Sequence, residues 1–142
     1  MSAFLKKYKD IFLIITFGTI SFSIIFSLVK RKEIERNNIH RTGVYSLAEI
    51  TDFRKETRSH YYKYSFFFNN KLYRARYGDG SKSLNIGRRY FVIIDPENPW
   101  LYNFLLYRYP VPDSITSAPP EGWKELPIPV DKEEIRKFLE DY

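Results

Sequence analysis

Cysteine is absent from the 142 residues. Its absence excludes a disulfide framework, a thiolate nucleophile and a lipid-modified cysteine, and leaves the redox compartment unconstrained. Histidine is nearly absent, His40 and His60 being the two present. Neither belongs to an H-x-x-x-H spacing or stands beside paired carboxylates, so a metal site or a triad has nothing to build on and both read as surface or strand-edge residues. Glycine is scarce as well, and three of the six fall in YGDGSKSLNIG, Tyr77 to Gly87. This loop carries Gly78-Asp79-Gly80 but lacks both the G-K-[ST] ending and the following helix of a phosphate-binding loop. Asp95 and Glu97 lie in a proline turn, where Asp serves the turn geometry. No nucleophile stands next to a base, and the chain reads as non-enzymatic, with no cofactor and no metal.

Charge is missing from one long stretch. IFLIITFGTISFSIIFSLV, Ile11 to Val29, runs nineteen residues without a charged side chain. As a helix it would reach about 28 Å, close to the ~30 Å hydrocarbon core of a bilayer. The expectation is a transmembrane helix over 11–29 after a short tail, 1–10, bearing Lys6, Lys7 and Lys9. The apolar run is too long for a cleavable signal and ends in LVKRKE rather than a small-residue site, so it reads as a signal anchor of a single-pass protein. Lys30, Arg31, Lys32, Arg36 and Arg41 outnumber the three N-terminal lysines, which leans the soluble part toward the cytoplasm. Within the run Thr19, Ser23 and Ser27 recur at i, i+4 and i+8 with Thr16 on the same stripe, a small-residue face where a second helix could pack closely. The charged spacer that follows, 30–41, is expected to extend the helix and break it at Asn37-Asn38.

The net charge of +6 conceals an asymmetry. Lys30 to Tyr109 holds sixteen Lys plus Arg against eight Asp plus Glu, and Pro110 to Tyr142 holds four against eight. A basic body thus precedes an acidic tail, which suits a solvated surface, attraction to anionic headgroups, or docking of tail on body.

Residues 42–109 read as a β domain. Thr42 to Phe53 is rich in β-branched and aromatic residues, and His60 to Phe68 and Lys71 to Tyr77 are joined by Asn69-Asn70, a hairpin signal because Asn tolerates positive φ. In the first arm Tyr62, Tyr64, Phe66 and Phe68 share one face, and Tyr61, Lys63, Ser65 and Phe67 the other, which suggests a strand flanked on both sides. In the second arm Leu72, Arg74 and Arg76 alternate with Tyr73, Ala75 and Tyr77, a sheet with one wet face. Strands over Arg88 to Ile94 and Leu101 to Tyr109 bring the total to about five, pointing to a small antiparallel barrel or sandwich. Six of the eight prolines then lie between Pro110 and Pro129. That makes 110–130 an extended strap, and its Trp123 is expected to dock on its own domain. In 131–142 Asp131 and Glu134 resemble a capping box, and Ile135, Phe138, Leu139 and Tyr142 share one helical face.

TGV at Thr42 to Val44, YYKYSFFFNNKLY at Tyr61 to Tyr73 and IGRRYFVIIDPENP at Ile86 to Pro99 form a pattern G-x-V, Y-x-Y-x-F, G-x-x-Y-x-V-x-x-D-P-x-N-P. It resembles an uncharacterised bacterial family of membrane-anchored small β domains, of the kind found as short membrane proteins in Bacteroidota. The likeness covers about Arg41 to Pro129 and departs at the hairpin, where the family often has Gly and this chain has Asn69-Asn70. It implies an anchor in the bacterial inner membrane and a fold, with no activity to carry over. The function expected is a protein-binding or accessory subunit at the membrane, with Arg74, Arg76, Arg88 and Arg89 as a surface for a partner or for anionic lipid. Two alternatives are an immunity protein that neutralises a membrane-acting toxin and a β-barrel that binds single-stranded nucleic acid. In the last, Tyr73 and Tyr77 would stack bases beside the arginines.

Overall fold

The computed structural model describes residues 2–78 and 82–142, and the side chains of all of these except 2–14, 32, 35 and 36. Asp79 and Gly80 of the glycine loop, and the side chains of Lys6, Lys7, Lys9, Lys32 and Arg36, therefore lie outside it. The elements are helix α1 (Ser2–Thr42), strands β1 (Val44–Lys55), β2 (His60–Phe68), β3 (Lys71–Tyr77), β4 (Arg89–Ile94) and β5 (Asn103–Pro110), and helix α2 (Lys132–Glu140). The chain divides after Arg36 into two units, the second being Asn37–Tyr142.

In the first unit no helix among the described residues is long and apolar enough to cross a membrane. The first four positions of the expected span, 11–14, are among the side chains left undescribed. From Ile15 to Val29 the large apolar side chains are all exposed, Phe17 at 72% and Phe22 at 71%. At about 100° per residue they occupy most of the helix circumference. Thr16, Thr19, Ser23 and Ser27 fall on the remaining narrow stripe, where Thr19 Oγ1 donates to the Thr16 carbonyl at 2.9 Å.

The helix does not break at Asn37-Asn38, as the sequence suggests, but continues to Thr42. The reason is burial: Ile39 is 2% exposed and packs among Phe91, Ile93 and Leu106. That contact offsets the poor helix propensity of the Asn pair. Gly43 ends the helix, donating its N–H to the Ile39 carbonyl at 2.8 Å. A side chain there would drive into that same carbonyl and come to 2.9 Å from Ile93 Cγ1. This is the physical reason for glycine in TGV.

The five strands form one antiparallel sheet in the order β3-β2-β1-β4-β5. Among the described residues these strands make one sheet and not the two that a sandwich needs, and no ladder joins β3 to β5 as a closed barrel would require. Register shifts at Ile50/Asp52 in β1 and at Tyr90/Phe91 in β4 bend the sheet. The edge strands meet through side chains, with the Tyr77 and Tyr107 rings 5.1 Å apart. The hub is β1, long enough to pair with β2 along Ala48–Lys55 and with β4 along Val44–Glu49. Asn69 and Asn70 have φ of 48° and 60°, as a two-residue hairpin turn with positive φ at both positions demands.

Two apolar layers result. On the inner, concave face Tyr62, Tyr64, Phe66 and Phe68 of β2 meet Ile50, Val92 and Leu105, and burying one such side chain stabilises by about 1.5–3 kcal/mol. The phenols are satisfied, Tyr64 donating to Asn103 Oδ1 at 2.6 Å and Tyr62 accepting from the Leu84 N–H at 3.1 Å. On the outer face Tyr45, Phe91, Ile93 and Leu106 are covered by Ile39, by the strap and by Ile135, Phe138 and Leu139 of α2. These two layers explain why FVII in β4 is apolar on both sides. In α2, Asp131 caps the helix by accepting from the Glu133 N–H rather than through a reciprocal box with Glu134. Trp123 docks on its own domain as expected. It exchanges backbone hydrogen bonds with Tyr45 at 2.7 and 2.8 Å and sets its ring 6.2 Å from Phe91.

Candidate functional site

The strap and α2 cover the outer face over β4, β5 and the start of β1; the strap reaches β2 only at its hairpin end, through the bond from Asn69 to Pro120, and Phe67, Leu72, Arg74 and Arg76 stay exposed. The cross-strand register orders this open half into rows. Leu72 stands opposite Phe67, and both are exposed, at 40% and 62%. Arg74 stands opposite Ser65, Ser65 opposite Glu49, and Glu49 opposite Arg89. Arg76 stands opposite Lys63, and Lys63 opposite Asp52.

The charges in these rows are unevenly matched. Asp52 accepts from Arg54 Nε at 2.7 Å and lies 3.5 Å from Lys63 Nζ. Desolvation raises its carboxyl, but the Arg54 hydrogen bond and charge, with Lys63 behind them, outweigh that and hold it below the usual carboxylate range. Arg76 lies with its guanidinium 4.9 Å from the Tyr61 ring centroid. The Tyr61 phenol donates to Glu56 at 3.0 Å, and this bond, foremost among the causes, raises its pKa above the ordinary value. Among the described residues no carboxylate lies within 4.0 Å of Arg74 or Arg76. The result is a basic face with an apolar corner.

Between this face and the strap runs a cleft of about 370 Å³, floored by Leu47, Phe66 and Phe67 and roofed by Thr116 to Pro120. Its roof is tied down at both ends. Arg89 Nη1 donates to the Thr116 carbonyl at 3.0 Å and the Asn69 N–H donates to the Pro120 carbonyl at 2.6 Å.

Of the four arginines singled out in the sequence, Arg74 and Arg76 come together on the open face. Arg89 shares a row with Arg74 but is spent on holding the strap, and Arg88 is exposed in the turn before β4. Thr19, Ser23 and Ser27 belong to the other unit. Tyr73 and Tyr77 point to the inner face, Tyr77 being 4% exposed; they cannot stack bases alongside Arg74 and Arg76, which project from the opposite side of the same strand. Sequence reasoning missed the pair Phe67 and Leu72. The available signal was a Phe on the polar side of β2, directly across the Asn-Asn hairpin from a Leu on the wet side of β3.

The histidines have structural partners. His40 Nε2 lies 3.2 Å from the Lys132 carbonyl, and the His60 ring stacks on Phe53 at 6.2 Å. Among the described residues no group of three or more His, Cys, Asp or Glu is placed to hold a metal. No family model, curated protein or solved structure matches the chain. The likeness to membrane-anchored β domains therefore rests on its sequence pattern alone.

Proposed function

We propose that this chain is a non-enzymatic, single-pass membrane protein whose β domain binds a protein partner at the bilayer. One observation carries the membrane part: between Ile15 and Val29 every large apolar side chain is more than half exposed, on most sides of the helix. An uncharged helix with no wet face is stable in water only if something apolar surrounds it, and hydrocarbon does so without a specific partner. In the sequence, residues 11–14, IFLI, lengthen that uncharged run to nineteen, close to what a bilayer needs.

The partner-binding part is supported by the open basic face. Its exposed Phe67 and Leu72, rimmed by Lys63, Arg74 and Arg76, have the apolar centre and charged rim of a protein contact. The nucleic-acid alternative loses its stacking residues to the inner face, and the partner reading is preferred for that reason.

Alkaline carbonate washing of native membranes tests the anchor: the chain stays in the membrane pellet, and its release into the supernatant overturns the reading. A photo-crosslinker replacing Phe67 tests the partner and yields a discrete protein adduct. Adducts with nucleic acid or with lipid alone overturn it.

A further inference from the structure

β3 is an edge strand, and its hairpin fixes which of its backbone groups are used. In a two-residue hairpin the residues flanking the turn form a hydrogen-bonded pair, and such pairs then alternate along the ladder. Phe68 and Lys71 flank the turn, so Lys71, Tyr73 and Ala75 direct their N–H and C=O groups toward β2. Leu72, Arg74 and Arg76 direct theirs outward. Among the described residues no backbone–backbone hydrogen bond from a turn, loop or the strap reaches Lys71–Arg76. The residues with outward backbone are the same three whose side chains stand on the open outer face.

We propose that the outer edge of β3 is a docking site for an extended acidic segment of a partner protein, which pairs antiparallel with it as an additional strand. The idea rests on the reading of this domain as a protein-binding module and specifies its mode. Backbone pairing to Leu72, Arg74 and Arg76 supplies the attachment, and side chains at alternate positions supply selectivity. An antiparallel partner meets Arg76 first, then Arg74, then Leu72, so it reads acidic-x-acidic-x-apolar. Its apolar residue lands beside the exposed corner of Leu72 and Phe67.

Charge decides between occupants. A second copy pairing antiparallel through β3 would set Arg74 and Arg76 against their counterparts, and like charges directly opposite are destabilising. The arginines therefore protect the edge against self-association while leaving it open to a strand of opposite sign. The acidic tail of this chain does not fill the role, since Ile135, Phe138 and Leu139 hold it in the outer core.

Selection from a random peptide library on the full-length protein in detergent tests this. Binders enriched for acidic-x-acidic-x-apolar support the proposal. So does a loss of affinity on Arg74→Pro about tenfold or more beyond that on Arg74→Gln, since both remove the guanidinium but only proline deletes the outward N–H, and neither touches the β2–β3 ladder. The double variant R74E/R76E keeps that N–H and reverses the preference to basic residues at the same two positions. An unchanged thermal melt shows that each variant is folded. Binders without the acidic alternation, or binders that lose no more on Arg74→Pro than on Arg74→Gln, overturn strand addition. A dimer in sedimentation that is lost on Arg74→Pro also overturns it, in favour of a second copy. Crosslinking from Phe67 that survives Arg74→Pro rejects this mode while leaving the protein-binding reading intact.

Discussion

Replacing Gly43 by alanine tests how the end of α1 is joined to the sheet. The added methyl meets two obstacles, the Ile39 carbonyl oxygen and the Ile93 side chain, whose Cγ1 and Cδ1 would lie at 2.9 and 3.0 Å. The Ile93 side chain is fully buried and cannot swing aside, and the carbonyl is backbone. Relief requires the last turn of α1 to move off the sheet, which strains the Gly43 N–H bond to Ile39 and partly withdraws the Ile39 side chain. Overpacking costs about 1–3 kcal/mol, and a buried isoleucine contributes about 1.5–3 kcal/mol. Since movement relieves the first at the expense of the second, the two do not add, and the net loss is about 3 kcal/mol. For a unit of this size that lowers the melting temperature by about 15 °C. The assay is near-ultraviolet circular dichroism against temperature, on the full chain in detergent. Gly78→Ala is the control, because nothing lies within 4 Å of a methyl there and φ is not positive. A Gly43→Ala melt within about 2 °C of the parent, or a Gly78→Ala loss of equal size, would refute the argument.

Trp123→Ala removes the ring against Phe91 and loosens the strap from Tyr45. A half-buried Trp at this site is worth about 2 kcal/mol, and limited proteolysis should newly cut between Pro112 and Gly122; an uncut strap would count against the docking role. Asn70→Val places a β-branched residue at φ 60° and costs about 1–2 kcal/mol, whereas Asn70→Gly is neutral or slightly stabilising in a urea titration. Alkali should unfold the domain cooperatively. Burial, then the Glu134 hydrogen bond and charge, push the Tyr109 phenol up to about 12, and burial raises Tyr45, Tyr64 and Tyr142. Groups whose folded pKa is raised contribute stability that is complete below the unfolded value of 10.0 and is lost as pH rises toward 12. Tyrosinate absorbance should therefore lag below the transition and rise with it; smooth titration centred on 10 would show the phenols to be solvated.

What could be read from the sequence was local. Asn69-Asn70 specifies its turn because few residues accept positive φ, and the alternation in β3 specifies its faces because a strand has period two. The face of β2 that carries Tyr62, Tyr64, Phe66 and Phe68 was legible for the same reason. The single sheet was not, because the pairing of β1 with β4 joins residues forty or more apart, from Glu49 with Arg89 to Val44 with Ile94, and nothing local encodes that partner. The persistence of α1 through Asn37-Asn38 was hidden too, since it depends on one tertiary contact of Ile39 that overrides propensity. The basic face was half legible: arginine spacing placed Arg74 and Arg76 together, but only topology shows that Arg89 is occupied by the strap and that Tyr73 and Tyr77 face away.

The outer core draws its residues from both ends of the second unit, with Ile39 at one end and Ile135, Phe138 and Leu139 at the other. During synthesis the sheet can therefore pair long before it can be sealed. Until α2 leaves the ribosome, Phe91, Ile93 and Leu106 have only Ile39 and the strap to cover them. The chain spends that interval with part of its stickiest side uncovered. Folding of this domain is then a closing step set by the docking of α2, and substitutions at Ile135 or Phe138 should lower yield in cells more than their effect on equilibrium stability implies.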